Sequence, residues 1–114
     1  MRLTSEMWTS ALIRRVFGDG SFGAIERRGA GEAGAIFIKA RRRDGITRLF
    51  GPAPQSFFAE ERPDERRFEQ RLETGDESAL RESLQRELKF DSDIWIVEIE
   101  VERPDAYFEI VDPD

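Results

Sequence analysis

The chain has 114 residues and a mass of 13.2 kDa, with 18 Lys and Arg against 24 Asp and Glu, and neither Cys nor His. That length fits one domain. Without Cys there is no disulfide framework and no thiolate nucleophile; without His the commonest general base and transition-metal ligand are gone, so Ser-His-Asp chemistry is excluded by inventory.

Charge is unevenly spread along the chain. Residues 1–50 carry 10 basic side chains against 5 acidic ones, and residues 51–114 carry 8 against 19. In a domain this small the halves must touch, so the polarity predicts intramolecular pairing ahead of self-association. No apolar stretch approaches the roughly 20 residues needed to span a bilayer. The N-terminal segment holds Glu6 and lacks the apolar core of a signal peptide. A cytoplasmic location is the default expectation.

Thr4 or Ser5 can cap a first helix, with Glu6 early enough to meet the positive end of its dipole. Trp8, Leu12 and Val16 form an apolar stripe that Ala11, Ile13 and Phe17 widen, and Gly18 and Gly20 end the helix. Phe22 to Arg28 reads as a short strand. Ala33–Arg41 reads as a second, with Ile36 and Ile38 on one face and Ala35 and Phe37 on the other, a face that Lys39 and Arg41 continue. Asp44-Gly45 between apolar runs predicts a hairpin into Ile46–Phe50, because tight turns need residues that accept positive φ. Gly51-Pro52-Ala53-Pro54 is a rigid corner, since prolines cannot sit in a central strand.

Gln55 to Pro63 is ambiguous. Arg66–Thr74 alternates Phe68, Gln70 and Leu72 and reads as a strand whose charges suit an exposed edge. Asp76 or Ser78 opens a second helix with Leu80, Leu84 and Leu88 on one face, and Glu77–Arg81 and Glu82–Arg86 are spaced to pair along it. Asp93–Glu102 is the clearest strand: Trp95, Val97, Ile99 and Val101 alternate with Ile96 and three glutamates, which predicts one buried face and a central place in the sheet. The order α-β-β-β-(β)-α-β predicts an α+β fold, a single small domain with an antiparallel sheet of four to five strands and two helices packed on one face. That domain spans residues 1–103, followed by an acidic tail at 104–114 that reads as mobile, although Tyr107, Phe108 and Ile110 could pack back on the body. With charges along the presumed edge strand, a monomer or a weak dimer is expected.

Gly18-Asp-Gly20-Ser-Phe-Gly23 matches G-x-G-x-x-G, and with Lys39 it is similar to the glycine loop and lysine of protein kinases. A helix leads into it, no His-Arg-Asp loop exists, and the chain is too short for two lobes, so it reads as a helix cap and turn. Arg41-Arg42-Arg43, with Arg27 and Arg48 on neighbouring strands, is the best candidate binding patch. A pI of about 4.8 is far from that of a nucleic-acid binder. Asp91 and Asp93 read as turn formers rather than cation ligands.

Five segments together carry a wider resemblance: Arg2-Leu-Thr-Ser-Glu6-Met-Trp8, Gly34-Ala-Ile-Phe-Ile-Lys39, Gly51-Pro-Ala-Pro-Gln55, Pro63-Asp-Glu-Arg66-Arg67-Phe68 and Phe90-Asp-Ser-Asp93-Ile-Trp95-Ile-Val-Glu98. The chain resembles a family of short, mostly alphaproteobacterial proteins classed as a domain of unknown function. The resemblance implies a small stand-alone domain and offers no catalytic residues.

Three readings of function follow. The favoured one is a non-enzymatic binding module that contacts a protein partner through Arg27, the arginines Arg41, Arg42, Arg43 and Arg48, and the corner formed by Gly51, Pro52, Pro54 and Gln55. The second is a small enzyme or a binder of an anionic small molecule, using Lys39, Arg48, Gln55 and a carboxylate such as Asp64 or Asp93. Nucleic-acid binding through the basic hairpin ranks third, because the carboxylate-rich half repels phosphate. No cofactor, no metal and no membrane partner is expected.

Overall fold

Helix α1 (Ser5–Gly18) starts where the Thr4 hydroxyl accepts the Met7 N–H at 3.1 Å, and it stops at a glycine turn. There Gly20, at φ 82°, donates to the Phe17 carbonyl while Ser21 donates to that of Val16. The glycine motif is therefore a helix end, as its order implied. The computed structural model describes residues 3–54 and 66–112. The ambiguous stretch from Gln55 to Pro63, and Asp64 after it, lie outside the described residues.

After α1 come strands β1 (Phe22–Arg27), β2 (Ile36–Arg41), β3 (Thr47–Pro52) and β4 (Arg67–Thr74), then helix α2 (Glu77–Phe90), β5 (Trp95–Glu100), a single 3-10 turn at Pro104–Ala106, and β6 (Glu109–Val111). The Asp76 carboxylate caps α2 by accepting the Ser78 N–H at 2.9 Å. The Asp44-Gly45 hairpin forms as expected: Arg42 donates to the Ile46 carbonyl at 2.9 Å, and Gly45 takes φ 88°.

The architecture is α+β, but the sheet corrects the sequence expectation in three ways. It has six strands, in the order β1-β5-β2-β3-β4-β6, and it is mixed: β5 runs parallel to β2, and β6 parallel to β4. The helices lie on opposite faces. Leu12 and Val16 of α1 pack on Ile36, Ile38, Phe50, Trp95, Val97 and Ile99, whereas Leu80 and Leu84 of α2 pack on Phe37, Leu49, Ile94 and Ile96. The cause is that β2 and β5 are apolar on both faces, so each face must be covered. Strand β5 is central, held by β1 and β2, as its alternation implied.

The third correction is the edge. Strand β4 is interior, flanked by β3 and β6, and the edges are β1 and β6. Its polar side chains are spent sideways: Gln70 accepts from the Arg48 Nε at 2.6 Å, Glu73 lies 3.8 Å from the same Nε, and Arg67 pairs with Glu109 at 3.3 Å. Residues 104–112 pack back onto the body rather than trailing from it. Phe108 is buried, with its ring 5.0 Å from Phe68, 5.3 Å from Phe50 and 6.5 Å from Trp8. Such tilted and edge-on pairs add about 0.5–1.5 kcal/mol each beyond area burial, which anchors β6. Neither helix is long and apolar enough to cross a membrane.

The loop from Gly29 to Gly34 is strapped to the start of α1. Ser5 and Glu6 donate their N–H groups to the Glu32 and Gly31 carbonyls, and the Ser5 hydroxyl donates to the Gly34 carbonyl at 2.6 Å. The loop also runs tight against the segment entering β5: a Cβ on Gly34 would stand 2.5 Å from the Asp93 carbonyl oxygen. Gly34→Ala is therefore expected to cost about 1–3 kcal/mol in urea unfolding. Gly18→Ala meets no atom within 4 Å and serves as the neutral control. Equal midpoints for the two variants would show that the strap yields freely.

Candidate functional site

The side chains of β2 alternate, so Phe37, Lys39 and Arg41 point to the α2 face while Ile38 and Ala40 point to the α1 face. Lys39 is buried there. Its ammonium meets Glu26 at 2.6 Å and Glu98 at 3.5 Å. Glu26 is the residue left over where the register of β1 with β5 slips between Ile25 and Arg27, and its carboxylate reaches across β5 to the ammonium. Arg41 continues the row, with its guanidinium 3.0 Å from Glu77 and 3.5 Å from Glu98. Burial works against the charge on Arg41, but Glu98 and Glu77 outweigh it and hold its pKa above the ordinary value. Glu77 thus serves Arg41 rather than Arg81, its expected partner one turn along α2. A notch of about 200 Å³ opens beside Lys39, walled by Leu80, Leu84 and Leu88.

Beyond the last residues of β2 and β5 lies a larger groove of about 390 Å³. Arg41, Arg42 and Arg43 form one wall, Glu100 and Glu102 line it, and Phe17 and Phe22 form the other wall. Both rings are exposed, at 54% and 45%, and they meet edge-on at 6.0 Å. Arg42 is held by Asp44 at 2.9 Å, and the backbone N–H of Arg43 donates to Glu102 at 2.9 Å. Among the described residues the Arg43 guanidinium makes no ion pair.

The remaining sequence candidates are dispersed. Arg48 lies on the α1 face, paired in register with Ala40 and stacked 4.9 Å over the Phe50 ring. It cannot share a pocket with Lys39, which faces the other way. Arg27 donates to the Ser92 carbonyl at 2.7 Å, at the opposite end of β1 from the groove. Asp93 sits where β5 begins, and its carbonyl accepts the Ala30 N–H. Gly51, Pro52 and Pro54 also lie away from the arginines, since β3 starts at Thr47 beside Arg41 and ends at Pro52, about 17 Å further along. Gly51 and Pro52 have local work: Arg71 stacks 5.6 Å over the Phe37 ring beside Gly51 and donates to the Pro52 carbonyl at 2.8 Å.

Sequence reasoning missed Phe17 and Phe22 as groove residues and Glu26 and Glu98 as the partners of Lys39. Phe17 was readable as part of the α1 stripe, yet it falls in the last turn, past the rim of the sheet. Glu26 had no sequence signal, because its contact depends on the pairing of β1 with β5, a strand distant in the chain.

Fold and groove together describe a small α+β domain with a helix on each face of a mixed sheet and a basic, aromatic rim. The chain belongs to the family described as protein of unknown function DUF1491, whose model matches residues 3–109. It is similar to protein Atu0922 from A. tumefaciens, with 51% identity and a TM-score of 0.85 over 100% of this chain and 98% of that one. It is also similar to a DUF1491 family protein from Caulobacter crescentus CB15, with 33% identity and a TM-score of 0.77 over 97% of this chain and 99% of that one. Both organisms are alphaproteobacteria, in keeping with the resemblance carried by the five sequence segments. No curated protein matches the chain.

Two outcomes follow from this geometry. Lys39→Met takes the ammonium from Glu26 and leaves the largely buried Glu98 with Arg41 alone, and is expected to lower stability by about 1–2 kcal/mol. Adding Glu98→Gln should recover part of that loss in urea unfolding, whereas a purely additive double variant would deny the coupling. The hydrogen bond from Arg42, with a second from the Ile46 N–H, holds the Asp44 carboxyl below its ordinary 3.8. A depressed acid stabilises the fold above its unfolded pKa, and that contribution is lost as the pH falls through the folded one. The Asp44 carboxyl carbon should accordingly titrate below 3.8 by NMR, and Arg42→Ala should raise its midpoint.

Proposed function

We propose that this chain is a cytoplasmic, non-catalytic binding domain whose contact surface is the groove at the ends of β2 and β5. The observation that carries the reading is the pairing, in one groove, of two exposed aromatic rings with an arginine that has no ion-pair partner among the described residues. Exposed aromatic and arginine side chains are the residue types that anchor protein interfaces. Three other basic residues of the sheet are spent internally: Lys39 on Glu26 and Glu98, Arg41 on Glu77 and Glu98, and Arg48 on Gln70 and Glu73. The dispersal of Lys39, Arg48 and Asp93 also favours binding over the enzyme alternative, which needed at least two of its residues in one pocket.

The domain acts as a monomer. Edge β6 has three residues, and edge β1 ends at Arg27 with Arg28 just beyond it, cations that an antiparallel second copy would set beside its partner's Arg43. Light scattering at tens of micromolar should give the monomer mass, and a dimer that resists dilution would contradict it.

Photo-crosslinking in cells tests the binding reading. With a benzophenone amino acid in place of Phe17, one discrete adduct is expected, and it should disappear with Arg43→Glu. The same probe at Phe90, which is 94% exposed and lines neither the groove nor the notch, serves as the control. Equal adducts at both positions, or turnover of a metabolite by the purified chain that Lys39→Met abolishes, would overturn it.

A further inference from the structure

Resting on that reading of the groove, we infer that the partner is an extended peptide segment with a carboxylate at each end, which adds as a strand to the open edge of β1 and seats an apolar ring between Phe17 and Phe22. The groove and the edge are continuous. Phe22 is both the first residue of β1 and a wall of the groove, so a strand laid along β1 runs directly into it. Strand β1 pairs only with β5, so its outer N–H and C=O groups face no other strand among the described residues. An unpaired edge is a template for one more strand, with backbone hydrogen bonds supplying affinity and side-chain pockets supplying selectivity.

Charge selects this occupant over a second copy. Arg43 stands in the groove at one end, and Arg27 and Arg28 stand at the other end of β1. Arg28 is 65% exposed and only 3.8 Å from the equally exposed Glu6, a contact that a ligand carboxylate can replace. Two β1 strands laid antiparallel would bring the Arg27-Arg28 end of one copy beside Arg43 of the other, which repels. A segment with acidic ends meets both clusters. The two ends are about 20 Å apart along the strand, which sets the ligand at about seven residues.

The carboxylates of the groove limit the charge that it accepts. Glu102 already receives the Arg43 N–H, while Glu100 has no ion pair among the described residues. One carboxylate can reach Arg43, but a run of phosphates would meet Glu100 and Glu102 as well. The groove therefore suits a peptide end rather than a nucleic-acid backbone. The ring pair adds a second requirement. Phe17 and Phe22 meet edge-on and leave their outer faces open, so an aromatic or branched aliphatic side chain next to the terminal acid completes the cluster.

The test uses the full chain, labelled with nitrogen-15, and a capped seven-residue peptide. The peptide carries glutamate at each end, phenylalanine beside one of them, and alternating valine and threonine between. Amide shifts are expected to concentrate at 22–27 and at 42 and 43, with binding in the submillimolar range. Arg43→Glu and Phe22→Ser, both at exposed positions, should each weaken it about tenfold, a change worth about 1.4 kcal/mol, as should replacing the peptide's glutamates with lysines. No shifts up to several millimolar, or shifts centred on α2 or β6, would overturn the inference. So would the same amides moving with protein concentration alone, which would assign the edge to a second copy, or a short oligonucleotide moving them more strongly than the peptide. If the peptide fails while the Phe17 crosslink still depends on Arg43, the binding-domain reading stands and the strand-addition inference falls.

Discussion

The parallel pairing of β2 with β5 is the constraint on which the rest of the molecule depends. Six consecutive register pairs, from Ile36 with Trp95 to Arg41 with Glu100, place the two most apolar strands side by side. Both carry apolar residues on both faces over their first halves, so neither face can be left to water. Helix α1 covers one and α2 the other. Because parallel neighbours need a crossover, α2 has to sit between β4 and β5 in the chain, which is where it is found. The aromatic cluster of Trp8, Phe50, Phe68 and Phe108 extends the same cover towards β6.

In their second halves the same two strands turn polar on the α2 face, and here the opposite charges of the two chain halves meet. Lys39 and Arg41 come from the basic half, Glu77 and Glu98 from the acidic half, and Glu26 reaches across from β1. Packing and electrostatics thus change over along one pair of strands: apolar where the helices cover, ionic where the sheet opens, and aromatic at the rim. The rim is where coverage runs out. Phe17 is the last side chain of α1 before its glycine stop, and Arg43 sits at the tip of a turn that projects past β5.

Much of the local structure was legible in the sequence, and most of the non-local structure was not. Thr4 and Asp76 marked the helix starts, Asp44-Gly45 marked the hairpin, and the alternation from Trp95 to Val101 placed that strand in the middle of the sheet. The run Trp95-Ile96-Val97 also contained the sign of two covered faces, since three adjacent apolar residues cannot share one side of a strand; the glutamates that follow disguised it. Strand β4 misled because its charges look solvated, whereas their partners arrive from β3 and from a tail strand that is distant in sequence. At the groove, arginines announce themselves by type, but Phe17 and Phe22 matter only through their place at the end of a helix and the start of an edge strand.

The insertion of β5 between β1 and β2 has a kinetic consequence. Strands β1 and β2 are neighbours in the chain but never touch as partners; they are held apart by a slot that only residues 95–100 fill. Until those residues arrive, β2 has its hairpin partner β3 on one side and a bare apolar edge on the other. Closing that slot joins segments 59 to 78 residues apart, a long-range step of the kind that slows folding and leaves partly built sheets open to association. A nascent chain of this domain therefore carries a sheet open at that slot until β5 is made, and β5 inserts between strands already synthesised rather than adding at an edge.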